Sequence, residues 1–361
     1  MAGDLGGAGG TGRGSISRLC GAGLTDRAEG SGSVAPNSFS SRSRPMTRRE
    51  FLWSSAATAA LSTGVAGAAM NAVAAPIPII DTHTHFYDPT RAQGVPWPPR
   101  TDNVLFRPRL PADFAAHHGA LNVVGTVVVE ASDRIEDNQW ILDLARANPE
   151  IVGFVGHLVP GRPEFADNLS RFTADPIFRG LRLRLNVLRN LATAEVLADL
   201  KRVAAADLSI DVLGGVAVLG PTLQLSRTLP GLRIVVNHLP FADWDAAPAA
   251  MRPAWAELAR QPNVFAKVSN IVRREGGVVV DNPAHYRAAL DTILDLFGED
   301  RVMFGSNWPV SDRVAPYATV HRVAADFFAG QSRAAAEKFF WQNSHAAYRW
   351  VRRGAAAALG L

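Results

Sequence analysis

The chain has 361 residues and 47% hydrophobic content, enough for one large core or two modest domains. Most of its +4 formal charge sits at the start: seven of the 37 basic and four of the 33 acidic residues precede Pro76, leaving 30 against 29. The remainder is near neutral and offers no argument for nucleic acid as a partner. With the single cysteine at Cys20, it also excludes a disulfide framework and a thiolate nucleophile or ligand.

Residues 1–45 are rich in Gly, Ser, Ala and Arg, almost lack large apolar side chains, and are expected to be a disordered upstream extension. Residues 46–75 read as a signal peptide. Met46-Thr47-Arg48-Arg49-Glu50-Phe51-Leu52 leads into a Ser/Ala/Leu/Val/Gly run, and Ala72-Val73-Ala74-Ala75 closes it. The Arg-Arg pair with Phe-Leu behind it resembles a twin-arginine signal, so the twin-arginine export machinery is an expected partner and a periplasmic or secreted location the expected address. The apolar run is short and weakly hydrophobic for a stable membrane anchor.

From Pro76 to Leu361 the pattern is regular. Strands are predicted at 77–86, 122–131, 151–159, 178–185, 208–215, 232–239, 263–270 and 301–308, each a short, mostly apolar run of the kind buried on both faces. Helices are predicted between them at 136–148, 163–174, 194–206, 222–229, 249–260 and 284–297, with 112–118 after a Pro-rich loop and 315–329 and 332–351 at the end. Eight strands alternating with helices predict an α/β fold, a (β/α)8 or TIM barrel over residues 76–361. A doubly wound sheet would carry a Gly-rich turn after the first strand, where this chain has His83-Thr84-His85.

Barrel chemistry sits at the C-terminal ends of strands. Four of the nine histidines are predicted there: His83 and His85, His157, and His238. His83 and His85, at i and i+2, project together from one strand end and suit a divalent metal. Glu130, Arg182, Arg184, Lys267, Ser269 and Asn307 join them. Arg182 and Arg184 either pair with Glu130 to close the mouth or hold a carboxylate or carbonyl. Lys267 is either an internal counter-ion or a substrate contact.

Seven segments in order resemble the amidohydrolase superfamily, in its amidohydrolase-related branch of sugar, sulfomuconolactone and pyrone-dicarboxylate lactonases. They begin at Asp81-Thr82-His83-Thr84-His85-Phe86 and Val129-Glu130-Ala131. They continue through Gly156-His157, Arg179-Gly180-Leu181-Arg182, Asn237-His238-Leu239 and Lys267-Val268-Ser269 to Gly305-Ser306-Asn307-Trp308-Pro309. The resemblance implies a hydrolase that opens a cyclic ester or related C–O or C–N bond with water. In it His83 and His85 would hold a divalent metal, often zinc. His238 would orient or polarise the carbonyl. From their strand-end positions, His157 is expected to join the catalytic groups, and Glu130, Arg182, Arg184 and Lys267 to bind the small-molecule substrate.

One position departs from that pattern. The family's hydrolases commonly carry a strand-8 Asp as the proton shuttle, and Asn307 stands there. A carboxamide does not accept a proton near neutral pH. Asp312, His157 or His238 would then have to serve as base, or metal alone would generate hydroxide. The other readings are a metal-dependent decarboxylase of the same superfamily and a barrel that only binds a small ligand.

Overall fold

The computed structural model describes residues 75–213, 215–241 and 248–361; the expected extension and, but for Ala75, the expected signal lie outside them. Ten strands run in chain order: β1 Ile79–Thr84, β2 Val123–Val129, β3 Ile151–Gly156, β4 Phe178–Leu183, β5 Ser209–Leu213, β6 Arg233–Asn237, β7 Val264–Val268, β8 Arg273–Glu275, β9 Val278–Val280 and β10 Val302–Phe304. β1 to β7 and then β10 form one eight-stranded parallel sheet, and helices cover its outer face. This is a TIM barrel.

The parallel order follows from the runs themselves. β1, β2, β3, β7 and β10 are buried at every residue, so each needs cover on both faces. Outside, helices such as Phe165–Thr173 supply Phe165, Leu169 and Phe172 at i, i+4 and i+7. Inside, Ile80, Val127, Val152, Val235 and Met303 make a second cluster with Tyr348 and Trp350, which arrive from the C-terminal segment. The main-chain N–H of Val351 donates to Val152 at 2.8 Å and fixes that segment to β3.

The sheet closes at the functional end. Ladder pairing between β1 and β10 is replaced by a seam just beyond them: Asn307 N–H donates to His83 O and His85 N–H to Trp308 O, both at 2.9 Å. The Thr82 hydroxyl donates across the same seam to Phe304 O at 2.5 Å. The buried Asp81 Oδ1 accepts from the main-chain N–H of His83 at 3.0 Å and of Ser306 at 2.9 Å, joining the two sides through one carboxylate.

Several predicted boundaries move, each for a local reason. His83, Arg182 and Lys267 lie within their strands, but others singled out at strand ends lie beyond them, because the chain leaves the ladder there. His238, Asn270 and Asn307 have φ of +63°, +59° and +64°, a left-handed turn that no strand contains. The helix expected from Thr222 begins at Val216 and keeps Pro221 inside it. The terminal helix expected over 332–351 is interrupted by a π-turn at Lys338–Gln342 and ends at Tyr348, since Arg349 turns left-handed (φ +53°). The β8–β9 hairpin is missing from the sequence reading. Its turn is Gly276-Gly277, both at positive φ, but the charged Arg273-Arg274-Glu275 arm hides the strand pattern.

Candidate active site

His83 lies near the end of β1, His85 and His238 directly follow β1 and β6, and these rings meet. The His85 and His238 ring centroids lie 4.9 and 4.6 Å from that of His83. His83 is fully buried and neither of its ring nitrogens has a partner. His85 Nδ1 lies 2.9 Å from the Val129 carbonyl oxygen, so Nδ1 carries the hydrogen and Nε2 keeps its lone pair. Nδ1 of His238 lies 2.7 Å from the Ser269 hydroxyl. Asn307 lines the same wall as His85.

All three imidazoles are neutral. Burial, reinforced by the Arg182 guanidinium, lowers His85 to about 3. Burial and then Lys267 hold His83 well below its ordinary value, and burial and then Arg182 do the same to His238. A neutral ring can ligate a cation or polarise a carbonyl; none of these is a strong base.

These groups open onto a cavity of about 730 Å³. Its polar wall is His85, Glu130, Arg182, Arg184, His238 and Asn307; its apolar wall is Trp97, Leu185, Leu213, Ala217 and Val218. Glu130 is 5% exposed, and its carboxylate lies 3.5 Å from Arg184 and 3.9 Å from Arg182. Burial raises its carboxyl above the ordinary range while the two arginines oppose that shift. Both distances are long for ion pairs and Arg184 is half exposed, so the arginines are placed to meet a ligand as well as Glu130.

Two predicted residues stand apart. Lys267 does not reach the cavity wall: it is fully buried, with Nζ 2.8 Å from Asp211 Oδ2 and 2.7 Å from the Thr82 carbonyl. It is the internal counter-ion, and its expected substrate contact is corrected accordingly. His157 is also outside the wall. Asn138 clamps its main chain, accepting from its N–H at 2.9 Å and donating to its carbonyl at 2.8 Å, and this holds the residue outside the cavity lining. Asp312, the candidate replacement base, is 3.0 Å from Arg109 in an ion pair and does not line the cavity.

The sequence reading missed Asp211, Tyr348 and Trp97. Asp211 is the one acid inside the apolar run Ile210-Asp211-Val212, a signal that was readable; it also accepts from the Tyr348 hydroxyl at 2.8 Å. Tyr348 carries no such signal, because a tyrosine near the chain end looks like any core aromatic. Trp97 lies in the Pro-rich loop after β1, and its ring stands 6.0 Å from His85, edge to face.

Fold and site together define a barrel enzyme with its reacting groups at the C-terminal strand ends. The chain belongs to the amidohydrolase family, whose profile matches residues 80–350. It is 30% identical over 243 residues to an L-fucono-1,5-lactonase of Burkholderia ambifaria, a match covering 64% of this chain and 80% of the relative. It is 27% identical to an L-fucono-1,5-lactonase of Burkholderia multivorans, over 73% of this chain and 92% of that one. Among solved structures, an amidohydrolase of Burkholderia multivorans with bound zinc superposes with a TM-score of 0.68 at 26% identity, covering 76% of this chain and 99% of that one. The protein is accordingly an amidohydrolase-family hydrolase of lactonase-like type.

Proposed function

We propose that the protein opens a lactone-like cyclic ester by attack of water at the barrel mouth. The observation that carries this reading is two buried histidines, His85 and His238, lining one cavity beside a buried carboxylate and two arginines, with the buried His83 ring packed against both. His238 polarises the carbonyl: in the tautomer whose Nδ1 accepts from the Ser269 hydroxyl, 2.7 Å away, Nε2–H is the donor for the oxygen where charge develops. Arg182 and Arg184 hold the polar face of the ring. Glu130 takes the proton from the attacking water and returns it to the ring oxygen as the C–O bond breaks, giving the hydroxy acid. Within the cavity wall Glu130 is the carboxylate, so the function that strand 8 gives up at Asn307 passes to strand 2.

The donor chemistry of His83 and His85 fits a divalent metal, with zinc as the ion suggested by the Burkholderia structure. Both nitrogens of His83 are buried and orphaned, and His85 is oriented through Nδ1 as metal-binding histidines are. Such an ion supplies carbonyl polarisation and an acidified water. Among the described residues no group of three or more His, Cys, Asp or Glu side chains is arranged to hold a metal, and Lys267 and Arg182 repel a cation, so it is held weakly. The same proposal includes export to the periplasm or beyond through the twin-arginine machinery, which N-terminal sequencing of exported protein tests.

The experiment is a lactone panel followed by proton release, with His85→Ala and His238→Ala as controls. Turnover lost in both variants is expected; absence of turnover on every lactone by the native protein would refute the reading. Metal analysis before and after dialysis is expected to show zinc lost without a chelator.

A further inference from the structure

Six of the eight barrel strands carry or lead into a polar residue that lines the mouth, among them His85, Glu130, Arg182, His238, Asn270 and Asn307; β3 holds its His157 outside the lining, and β5 supplies no polar group to it. It ends at Leu213, which is 46% exposed, and the helix Val216–Thr228 follows with Val216 at 54%. These are two of the five large hydrophobic residues left exposed among the described residues, and they stand together at the rim of the one site where a ligand is expected. Leu213 and Val218 line the cavity together with Leu185 and Ala217, and Trp97 of the first loop lines it beside His85, with ring centroids 6.0 Å apart. The lining thus combines two kinds of surface: charged and imidazole groups, and aliphatic side chains with one indole. At about 730 Å³ it falls in the range that buries drug-sized ligands, roughly 300–1,000 Å³. A bare hydroxylated ring that satisfied the polar groups would leave the apolar surface in water.

We infer that the substrate is amphipathic: a ring ester whose carbonyl lies among His85, His238 and Asn307 and whose aliphatic or aromatic substituent lies against Trp97, Leu185, Leu213, Ala217 and Val218. This rests on the lactonase reading for the ring and on the apolar wall alone for the substituent. Burial of each methylene along that wall contributes about 0.8 kcal/mol, roughly fourfold in affinity or in kcat/KM. The wall selects by area rather than by hydrogen bonds, so it accepts a family of chain lengths until the cavity is filled.

The test uses δ-lactones with unbranched alkyl substituents of increasing length, and separately the corresponding hydroxy acids as ligands in calorimetry. The expected result is a rise of about fourfold per methylene in kcat/KM and in hydroxy-acid affinity over the first few carbons. Leu213→Asp, a change at an exposed position the fold tolerates, is expected to flatten both slopes. Slopes that are flat in the native protein, or unchanged in Leu213→Asp, overturn the inference. If no lactone is turned over but hydroxy-acid affinity still climbs with chain length, the lactonase reading falls and the amphipathic ligand stands.

Discussion

Asn307 makes Glu130 the decisive residue. A primary amide in the strand-8 position takes no proton, and in the proposed reaction Glu130, whose pKa burial raises, serves as the base. Glu130→Gln keeps the shape and removes the proton site, and kcat is expected to fall about 10²–10⁴-fold with little change in KM. A merely structural role, closing the mouth against Arg182 and Arg184, would instead move KM and thermal stability. The sign of the pH dependence follows from the direction of the shift. A base works only when deprotonated, so kcat/KM falls on acidification, with its midpoint above the ordinary carboxylate value of 4.5. That limb is expected to vanish from whatever activity Glu130→Gln retains. Placing a carboxylate on strand 8 should compensate: Asn307→Asp in the Glu130→Gln background is expected to regain at least tenfold in kcat. No recovery would mean that the two positions do not share one proton.

At the scale of elements, the β1–β10 seam decides whether the histidines are placed at all. Gly305 lies against β1 so closely that a Cβ added there would stand 2.8 Å from the Cβ of His83 and 3.3 Å from its nitrogen. Gly305→Ala therefore has to push the two sides of the seam apart, where Asp81 joins them through a single oxygen. A loss of about 1–3 kcal/mol in urea unfolding is expected, with a drop in kcat larger than that loss explains. This seam also marks where sequence reading reaches its limit. The strands were legible because a strand buried on both faces is an apolar run, and His83, His85, His238 and Asn307 were legible as polar residues ending such runs. The left-handed turns at His238 and Asn307 were not, since tertiary contacts impose them on residues with no glycine to announce them. Lys267 was ambiguous for a related reason: which side of a strand end a lysine serves depends on Asp211, an acid 56 residues away.

For the whole molecule, Lys267, Asp211 and Tyr348 tie β7, β5, β1 and the C-terminal segment together beneath the three histidines. The group is fully buried, so its net contribution depends on all its charges being satisfied. Lys267→Met leaves the Asp211 carboxylate in the interior with only the Tyr348 hydroxyl, and a loss of about 3–5 kcal/mol is expected. Removing the whole set, Lys267→Met with Asp211→Leu and Tyr348→Phe, leaves no charge or hydroxyl of the triad unpaired and is expected to recover most of that loss. Activity separates the two roles of the lysine. Burial is the first cause of the lowered His83 and His238 and Lys267 only a lesser one, so the triple variant is expected to fold with these rings still neutral and to lose turnover only as far as the triad positions them. Denaturant midpoints and kcat measured on the same three proteins check this. Full activity in the triple variant would show that the triad serves the fold alone.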